Sequence, residues 1–193
     1  MTIASVPILM IPGWSNSDPG HWQTRWERAL PSCVRVEQRD WLTPDVDEWI
    51  ATIDNAVARA PLGVILVAHS LGCIAIAHWA AFADVTRGAR IRAALLVAPA
   101  DVEAATAPPE TRGFAPIPRV QLPFYSRAVA STTDSYCTMT RAREFAKSWG
   151  SELVDVGDAG HINTASGNGP WSEGERLLQE LVAMTRDQRG KVV

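Results

Sequence analysis

Ser70 is the residue whose surroundings most clearly indicate chemistry. It follows an apolar run, residues 64–68, and precedes a second apolar stretch, residues 71–83. Ala68 and Gly72 lie two residues to either side, and small residues there allow a strand to turn sharply into a helix. The usual form of this turn has glycine at both positions, and alanine replaces the first. Serine is also a favoured helix N-cap, so capping is the structural alternative.

His161 is the candidate base that could activate this serine. A serine hydroxyl becomes an effective nucleophile when a base lies within hydrogen-bond reach and a buried acid orients that base. His161 lies in the glycine-containing loop 157–163, directly after the last predicted strand. His21 and His78 fall on predicted helices. His69 is interpreted as structural, because its side chain should point to the opposite face of the strand from its neighbours.

Asp134 is the candidate acid that would orient the base. It follows the fifth predicted strand, one strand before the histidine loop, so both loops should leave the sheet on the same side. The alternatives between the serine and the histidine are Asp84, Asp101, Asp155 and Asp158. Asp101 ranks second because it follows the fourth predicted strand. Asp158 precedes the histidine by three residues and suits a turn.

The backbone N–H groups of Leu71 and Trp14 are candidates for stabilising an oxyanion. Leu71 opens the predicted helix, where the helix dipole favours negative charge. Trp14 ends the first predicted strand, and Gly13 before it permits a close approach to the turn. Four tryptophans in or just after loops could line an apolar substrate pocket: Trp14, Trp22, Trp41 and Trp171. For Trp22 and Trp171, core packing is an equal alternative.

Alternating strand and helix patterns must position these residues. Six segments read as strands: 6–11, 33–38, 62–68, 91–97, 124–130 and 152–156. Helical patterns lie between them, beginning near His21 and Asp45, covering 71–83 and 136–149, and ending with a helix that Ser172 and Glu175 would cap. This alternation predicts a three-layer α/β sandwich with a mostly parallel sheet of about six strands.

Length and composition limit the remaining possibilities. A chain of 193 residues with 47% hydrophobic content predicts one domain, residues 1–193. The proline-rich stretch 99–123 predicts a long loop with one helical turn around 102–105, too short for a cap domain. The net charge of −3 and scattered basic residues indicate neither nucleic-acid nor membrane binding.

Cofactor, metal and location are inferred from the same composition. The three cysteines lack paired spacing, and no cluster of metal ligands or glycine-rich phosphate loop is visible, so neither a metal nor an organic cofactor is expected. The first apolar run is too short for a signal peptide core or a membrane span. A cytoplasmic protein is therefore expected.

Taken together, these motifs resemble the small serine hydrolases of the retinoblastoma-binding protein nine and YdeN type, within the α/β-hydrolase superfamily. The resemblance rests on IPGW at 11–14, GHW at 20–22, DW at 40–41, AHSLG at 68–72, Asp134, GHIN at 160–163, and the glycines and tryptophan of 167–174. It implies a capless α/β-hydrolase core, a triad of Ser70, Asp134 and His161, and hydrolysis of a carboxylic ester or related small-molecule acyl substrate through an acyl-enzyme on Ser70.

The resemblance has one departure and leaves two alternatives open. A retinoblastoma-binding L-x-C-x-E motif is absent, because the nearest run, residues 71–75, lacks the acid and should be buried. That interaction is therefore not expected. The same triad would serve an acyltransferase that uses an acceptor other than water. A non-catalytic binding protein on a hydrolase scaffold is the hypothesis from a different class.

Overall fold

The strands form one parallel sheet in a computed structural model that describes residues 6–187. They are β1 (Ile8–Ile11), β2 (Cys33–Arg35), β3 (Val64–His69), β4 (Ile91–Val97), β5 (Tyr125–Ala130) and β6 (Glu152–Asp155). Their order across the sheet is β2-β1-β3-β4-β5-β6, and each neighbouring pair runs parallel. All carboxyl ends therefore meet at one edge, where ligands bind in open α/β sheets.

Helices cover both faces of this sheet. They are α1 (Trp22–Ala29), α2 (Val46–Arg59), α3 (Leu71–Phe82), α4 (Val85–Gly88), α5 (Met139–Trp149) and α6 (Ser172–Asp187). Leu9 and Ile11 of β1 join the core that α2, α3 and α5 cover, whereas Ile8 and Met10 join the core that α1 and α6 cover. This alternation confirms the predicted three-layer α/β sandwich with a six-stranded sheet.

The predicted elements are present with shifted ends. β4 coincides with its predicted range, whereas β2 ends at Arg35, short of the predicted Gln38. α5 begins at Met139, later than predicted, because the Thr138 side chain accepts a hydrogen bond from the Arg141 N–H and caps the helix. Ser172 is the first residue of α6 and does not precede it as a cap residue would. The short helix α4 was not predicted.

The segment between β4 and β5 contains a 3₁₀ helix and no cap domain. Around the predicted helical turn at 102–105 the chain forms a turn with a hydrogen bond from the Ala104 N–H to the Asp101 carbonyl but no assigned helix, and the 3₁₀ helix lies at Pro109–Phe114. Proline suits this first helical position because its missing N–H would have no partner there. Phe114 and Ile117 are buried and pack the segment against the core.

The predicted domain, 1–193, extends past the described residues at both ends and stays a prediction. None of the helices within residues 6–187 has the length and apolarity needed to cross a membrane.

The start of α2 shows how a local hydrogen bond sets an element. The Asp45 carboxylate accepts a hydrogen bond from the Glu48 N–H at 3.0 Å. One face of the helix then buries Trp49, Ile53 and Val57 in the core that it shares with α3. The capping hydrogen bond and the buried face are both consistent with a helix that begins at Val46.

Replacing Asp45 by alanine should lower the free energy of unfolding by about 1 kcal/mol, because the Glu48 N–H loses its acceptor. Urea denaturation followed by circular dichroism measures this loss. Asp47→Ala is the matched control, since it removes the same charge from the same turn without removing that hydrogen bond. Equal losses in the two variants would show that charge, not capping, stabilises the turn.

Candidate active site

Ser70 occupies a strained turn between β3 and α3. Its φ and ψ are 54° and −123°, a conformation that a non-glycine residue keeps only where the surrounding structure enforces it. Its side chain makes no capping hydrogen bond to α3, so the capping interpretation was wrong. The hydroxyl lies 2.9 Å from Nε2 of His161, and that nitrogen is placed to accept its proton.

Two glycines allow the turn to lie against the end of β1. A Cβ on Gly72 would be 2.4 Å from the Ile11 carbonyl oxygen and 2.6 Å from that of Pro12. A Cβ on Gly13 would be 2.7 Å from the Ser70 Cβ. Neither contact is possible for a larger residue unless the backbone moves.

His161 connects the serine to a buried carboxylate. Its Nδ1 lies 2.9 Å from each carboxylate oxygen of Asp134, whose side chain is 2% exposed. The same carboxylate accepts a hydrogen bond from the Tyr136 N–H at 2.9 Å, which orients it. The structure therefore brings Ser70, His161 and Asp134 into one hydrogen-bonded series.

The rival aspartates have other partners. Both carboxylate oxygens of Asp101 accept hydrogen bonds from Arg141, at 2.8 and 3.1 Å. Asp158 accepts a hydrogen bond from the Thr133 hydroxyl at 2.6 Å. Asp84 and Asp155 accept hydrogen bonds from the N–H groups of Arg87 and Gly157. Of the five candidate aspartates, Asp134 is the one that hydrogen-bonds to the His161 ring.

The backbone amides of Leu71 and Trp14 lie beside Ser70. A Cβ on Gly13, the residue before Trp14, would be 3.1 Å from the Leu71 nitrogen. Within residues 6–187, neither amide donates a hydrogen bond to a protein acceptor. The Trp14 ring is held separately, because its indole N–H donates to the Leu42 carbonyl at 2.9 Å. Both amides can therefore serve a ligand.

A cavity of about 620 Å³ adjoins the serine. Its walls come from the loop after β1, from the segment between β4 and β5, and from the loops that carry Asp134 and His161. All of these follow the carboxyl ends of strands, as the topology requires. Trp14 lines the cavity.

The other three candidate tryptophans do not line this cavity, which corrects the sequence prediction. Trp22 and Trp171 are 0% and 4% exposed and pack on each other in the core under α1 and α6, with ring centroids 5.1 Å apart. Trp41 packs against Trp49 at 5.6 Å. The side chains of Trp22 and Trp171 gain more by burial than a wet cavity wall would allow. Trp41 is only partly buried and packs against the core on the other side of the sheet.

Three lining residues were missed by sequence reasoning. Tyr136 lies over His161, with ring centroids 4.4 Å apart. His69 does point to the α1 side of the sheet, but the histidine loop lies on that side, and Nε2 of His69 donates to the His161 carbonyl at 2.9 Å. The His21 ring lies 4.8 Å from that of His69. For these three residues, the one sequence signal of a place in the site was that His69 is adjacent to Ser70.

Burial keeps the two accessory histidines neutral. It lowers the pKa of His69 well below its ordinary value, and the neighbouring His161 and His21 reinforce this. It also lowers the pKa of His21 to about 4. Nδ1 of His21 accepts a hydrogen bond from the Gln23 N–H and caps α1. Neither ring therefore adds positive charge beside His161 near neutral pH.

Within residues 6–187, no group of three or more His, Cys, Asp or Glu side chains is arranged to hold a metal ion. Leu71, Cys73 and Ala75 of the 71–75 run are fully buried in α3. The absence of a retinoblastoma-type interaction stays a prediction.

The fold and the serine turn together define an α/β hydrolase. The sequence model of the family described as "Serine hydrolase" matches residues 8–180, and the chain belongs to that family. A YdeN-like hydrolase from Pectobacterium atrosepticum has 34% sequence identity and a TM-score of 0.82, over 93% of this chain and 92% of that one. These findings confirm the resemblance to small serine hydrolases of the YdeN type.

More distant structures share the fold. The ydeN gene product of B. subtilis has 18% identity and a TM-score of 0.74, over 93% of this chain and 100% of that one. The type II thioesterase BorB from the borrelidin biosynthetic cluster has 16% identity and a TM-score of 0.61, over 94% and 92% of the two chains. No curated protein sequence matches the chain.

The depressed pKa of His21 predicts a pH-dependent stability. The unfolded chain binds a proton near the ordinary pKa of 6.5, whereas the folded protein binds it only near pH 4. The free energy of unfolding should therefore be greatest above pH 6.5 and fall by about 3 kcal/mol towards pH 4 through this residue. Urea denaturation at several pH values measures the slope.

His21→Asn is the matched variant for that measurement, because its side-chain oxygen can still cap α1 but does not titrate. The carboxylates are the same in both proteins, and of these Asp18 interacts with His21. The variant should show a shallower fall across this pH range, and equal slopes would contradict the assignment.

Proposed function

We propose that this hydrolase cleaves a carboxylic ester or related acyl substrate through an acyl-enzyme on Ser70. The observation that carries the proposal is the hydrogen-bonded series from the Asp134 carboxylate through His161 to the Ser70 hydroxyl, with both gaps at 2.9 Å. A nucleophile, a base and an orienting acid in this order are what acyl transfer by serine requires.

In the acylation step, Ser70 Oγ attacks the substrate carbonyl carbon while its proton moves to Nε2 of His161. Asp134 accepts a hydrogen bond from Nδ1–H and stabilises the imidazolium that forms. The carbonyl oxygen becomes an oxyanion, and the N–H groups of Leu71 and Trp14 donate to it. The leaving group then departs with the proton from Nε2, and the acyl group remains on Ser70.

Deacylation repeats these roles with water. His161 takes a proton from water, the hydroxide attacks the acyl carbon, and Ser70 leaves with the proton returned by His161. No metal or organic cofactor takes part in this scheme. The substrate expected is a small molecule, and the cytoplasmic location inferred from the sequence belongs to the same proposal.

The charge of the cavity wall bears on substrate choice. Its carboxylates are Asp18 and Asp101, and no lysine or arginine of the described chain lines it. Arg141 balances Asp101. Although desolvation opposes the shift, hydrogen bonds from the Thr164 side chain and the Gly20 N–H hold the pKa of the exposed Asp18 carboxyl below its ordinary value. The cavity therefore favours substrates without a carboxylate.

Substitution of the three residues tests the mechanism. Ser70→Ala and His161→Ala should abolish labelling by a fluorophosphonate probe and hydrolysis of a p-nitrophenyl ester, while both variants keep the wild-type circular dichroism spectrum. Asp134→Asn should lower kcat by about 10⁴-fold, because the wrong imidazole tautomer is then favoured. Asp158→Asn is the control and should change kcat little. The reverse ranking of the two asparagine variants would move the acid to Asp158.

The same assays separate the alternative functions. An acyltransferase would divert the acyl group to added alcohols or amines in preference to water. A non-catalytic binding protein would leave Ser70 unlabelled in the wild-type protein.

Removal of the Asp18 charge tests the electrostatic argument. Asp18→Asn should raise kcat/KM for a carboxylate-bearing ester by about fivefold relative to a neutral ester of the same length, because one repulsion at the cavity wall is lost. High salt should reduce the difference. Glu175→Gln, an exposed change on α6, is the control. No change in the ratio would show that Asp18 does not influence substrate choice.

A further inference from the structure

Two consecutive carbonyls of the histidine loop are held by buried side chains. The His161 carbonyl accepts a hydrogen bond from Nε2 of His69, and the Ile162 carbonyl accepts one from the indole N–H of Trp22, both at 2.9 Å. A carbonyl can only accept, so the proton of neutral His69 is on Nε2. Both donors come from outside the loop, one from β3 and one from α1.

The loop that they hold has an unfavourable backbone conformation. Gly160 and Ile162, on either side of His161, have φ values of 55° and 49°. Positive φ is costly for a β-branched residue, and it persists only where the surroundings impose it. The Ile162 side chain is fully buried under α1 and α6. The two hydrogen bonds and this burial oppose relaxation of the turn.

His69 also closes a short covalent and hydrogen-bonded ring. It is joined to Ser70 by a peptide bond, its Nε2 binds the His161 carbonyl, and the His161 side chain returns to the Ser70 hydroxyl. The residue beside the nucleophile is therefore hydrogen-bonded directly to the residue that supplies the base. The His69 ring is itself confined by the rings of His21, His161 and Trp22, at 4.8, 4.9 and 6.0 Å.

We propose that His69 and Trp22 are positioning residues that hold His161 within reach of Ser70 and Asp134 by fixing two carbonyls of its loop. Their importance for turnover rests on the proposed function, whereas their effect on the position of His161 does not. Neither has to exchange a proton or contact the reacting atoms.

The test replaces each donor and compares the result with an equivalent bond elsewhere. His69→Leu removes the N–H, and His69→Gln restores an amide donor. Trp22→Phe removes the indole N–H. The controls are His78→Leu, which removes a histidine bond to the Phe114 carbonyl, and Trp149→Phe, which removes a tryptophan bond to the Pro118 carbonyl.

Kinetics should show loss of kcat without loss of binding. We expect kcat of His69→Leu to fall by about 10²-fold and that of Trp22→Phe by about tenfold, with KM within about twofold of wild type, because a small displacement of the base slows chemistry without weakening binding. His69→Gln should recover most of the loss. The controls should keep wild-type kcat.

A proton NMR measurement gives a readout that does not need turnover. The His161 Nδ1 proton, donated to Asp134, should give a downfield resonance that is assigned by its loss in His161→Gln. It should persist in Ser70→Ala and in both controls. It should broaden or vanish in His69→Leu, because the released loop lets this proton exchange with water.

The outcomes separate the two hypotheses. An inactive wild-type protein whose resonance responds to His69→Leu would contradict the proposed function and support the positioning role. If the wild-type protein is active, any of three results would contradict the positioning role. His69→Leu could retain both kcat and the resonance, His78→Leu could lose as much kcat as His69→Leu, or the effect of His69→Leu could be on KM. If His69→Leu does not fold, Trp22→Phe decides by comparison with Trp149→Phe.

Discussion

The closeness of two backbones at the end of β1 and the start of α3 is the constraint on which the site depends. The Ile11 and Pro12 carbonyls occupy the space that a Cβ on Gly72 would need. A larger residue would move α3 away from the sheet, and Ser70 and the Leu71 N–H would move with it. The position of the serine relative to the end of β1 therefore depends on the close contacts at Gly72 and Gly13.

The histidine side of the site is held differently, by hydrogen bonds in a buried polar cluster. His161 is oriented by Asp134 through its ring and by His69 through its carbonyl. Burial of His69 and His21 keeps both rings uncharged, so neither would oppose the imidazolium that the proposed mechanism forms on His161. A buried polar cluster is rigid only when each of its members has its hydrogen-bond partners. The neutral state of these two rings therefore contributes to holding His161 in place.

The sequence was sufficient to predict the sheet, the turn at Ser70, and the loops that bring Asp134 and His161 to its edge. Each depends on local signals: apolar runs, small residues beside the serine, and glycines after a strand. The partners of Trp22, Trp41 and Trp171 depend on contacts between distant segments, and a loop tryptophan has the same sequence signal in a cavity wall as in a core. The bond from His69 to the His161 carbonyl spans 92 positions, so no local pattern could indicate it.

The segment between β4 and β5 is where this protein could acquire a new substrate specificity with little loss of stability. β4 and β5 pair directly, from Ala93 with Tyr125 to Val97 with Val129, so the length of the connection does not affect their register. Lengthening a surface loop costs little entropy, because the closure penalty grows only with the logarithm of its length. Residues 100–102, 106–108 and 111 of this segment line the cavity, whereas Ser70, Asp134 and His161 are on other loops. An insertion here could cover the opening of the cavity and change which substrates enter it, without moving Ser70, Asp134 or His161.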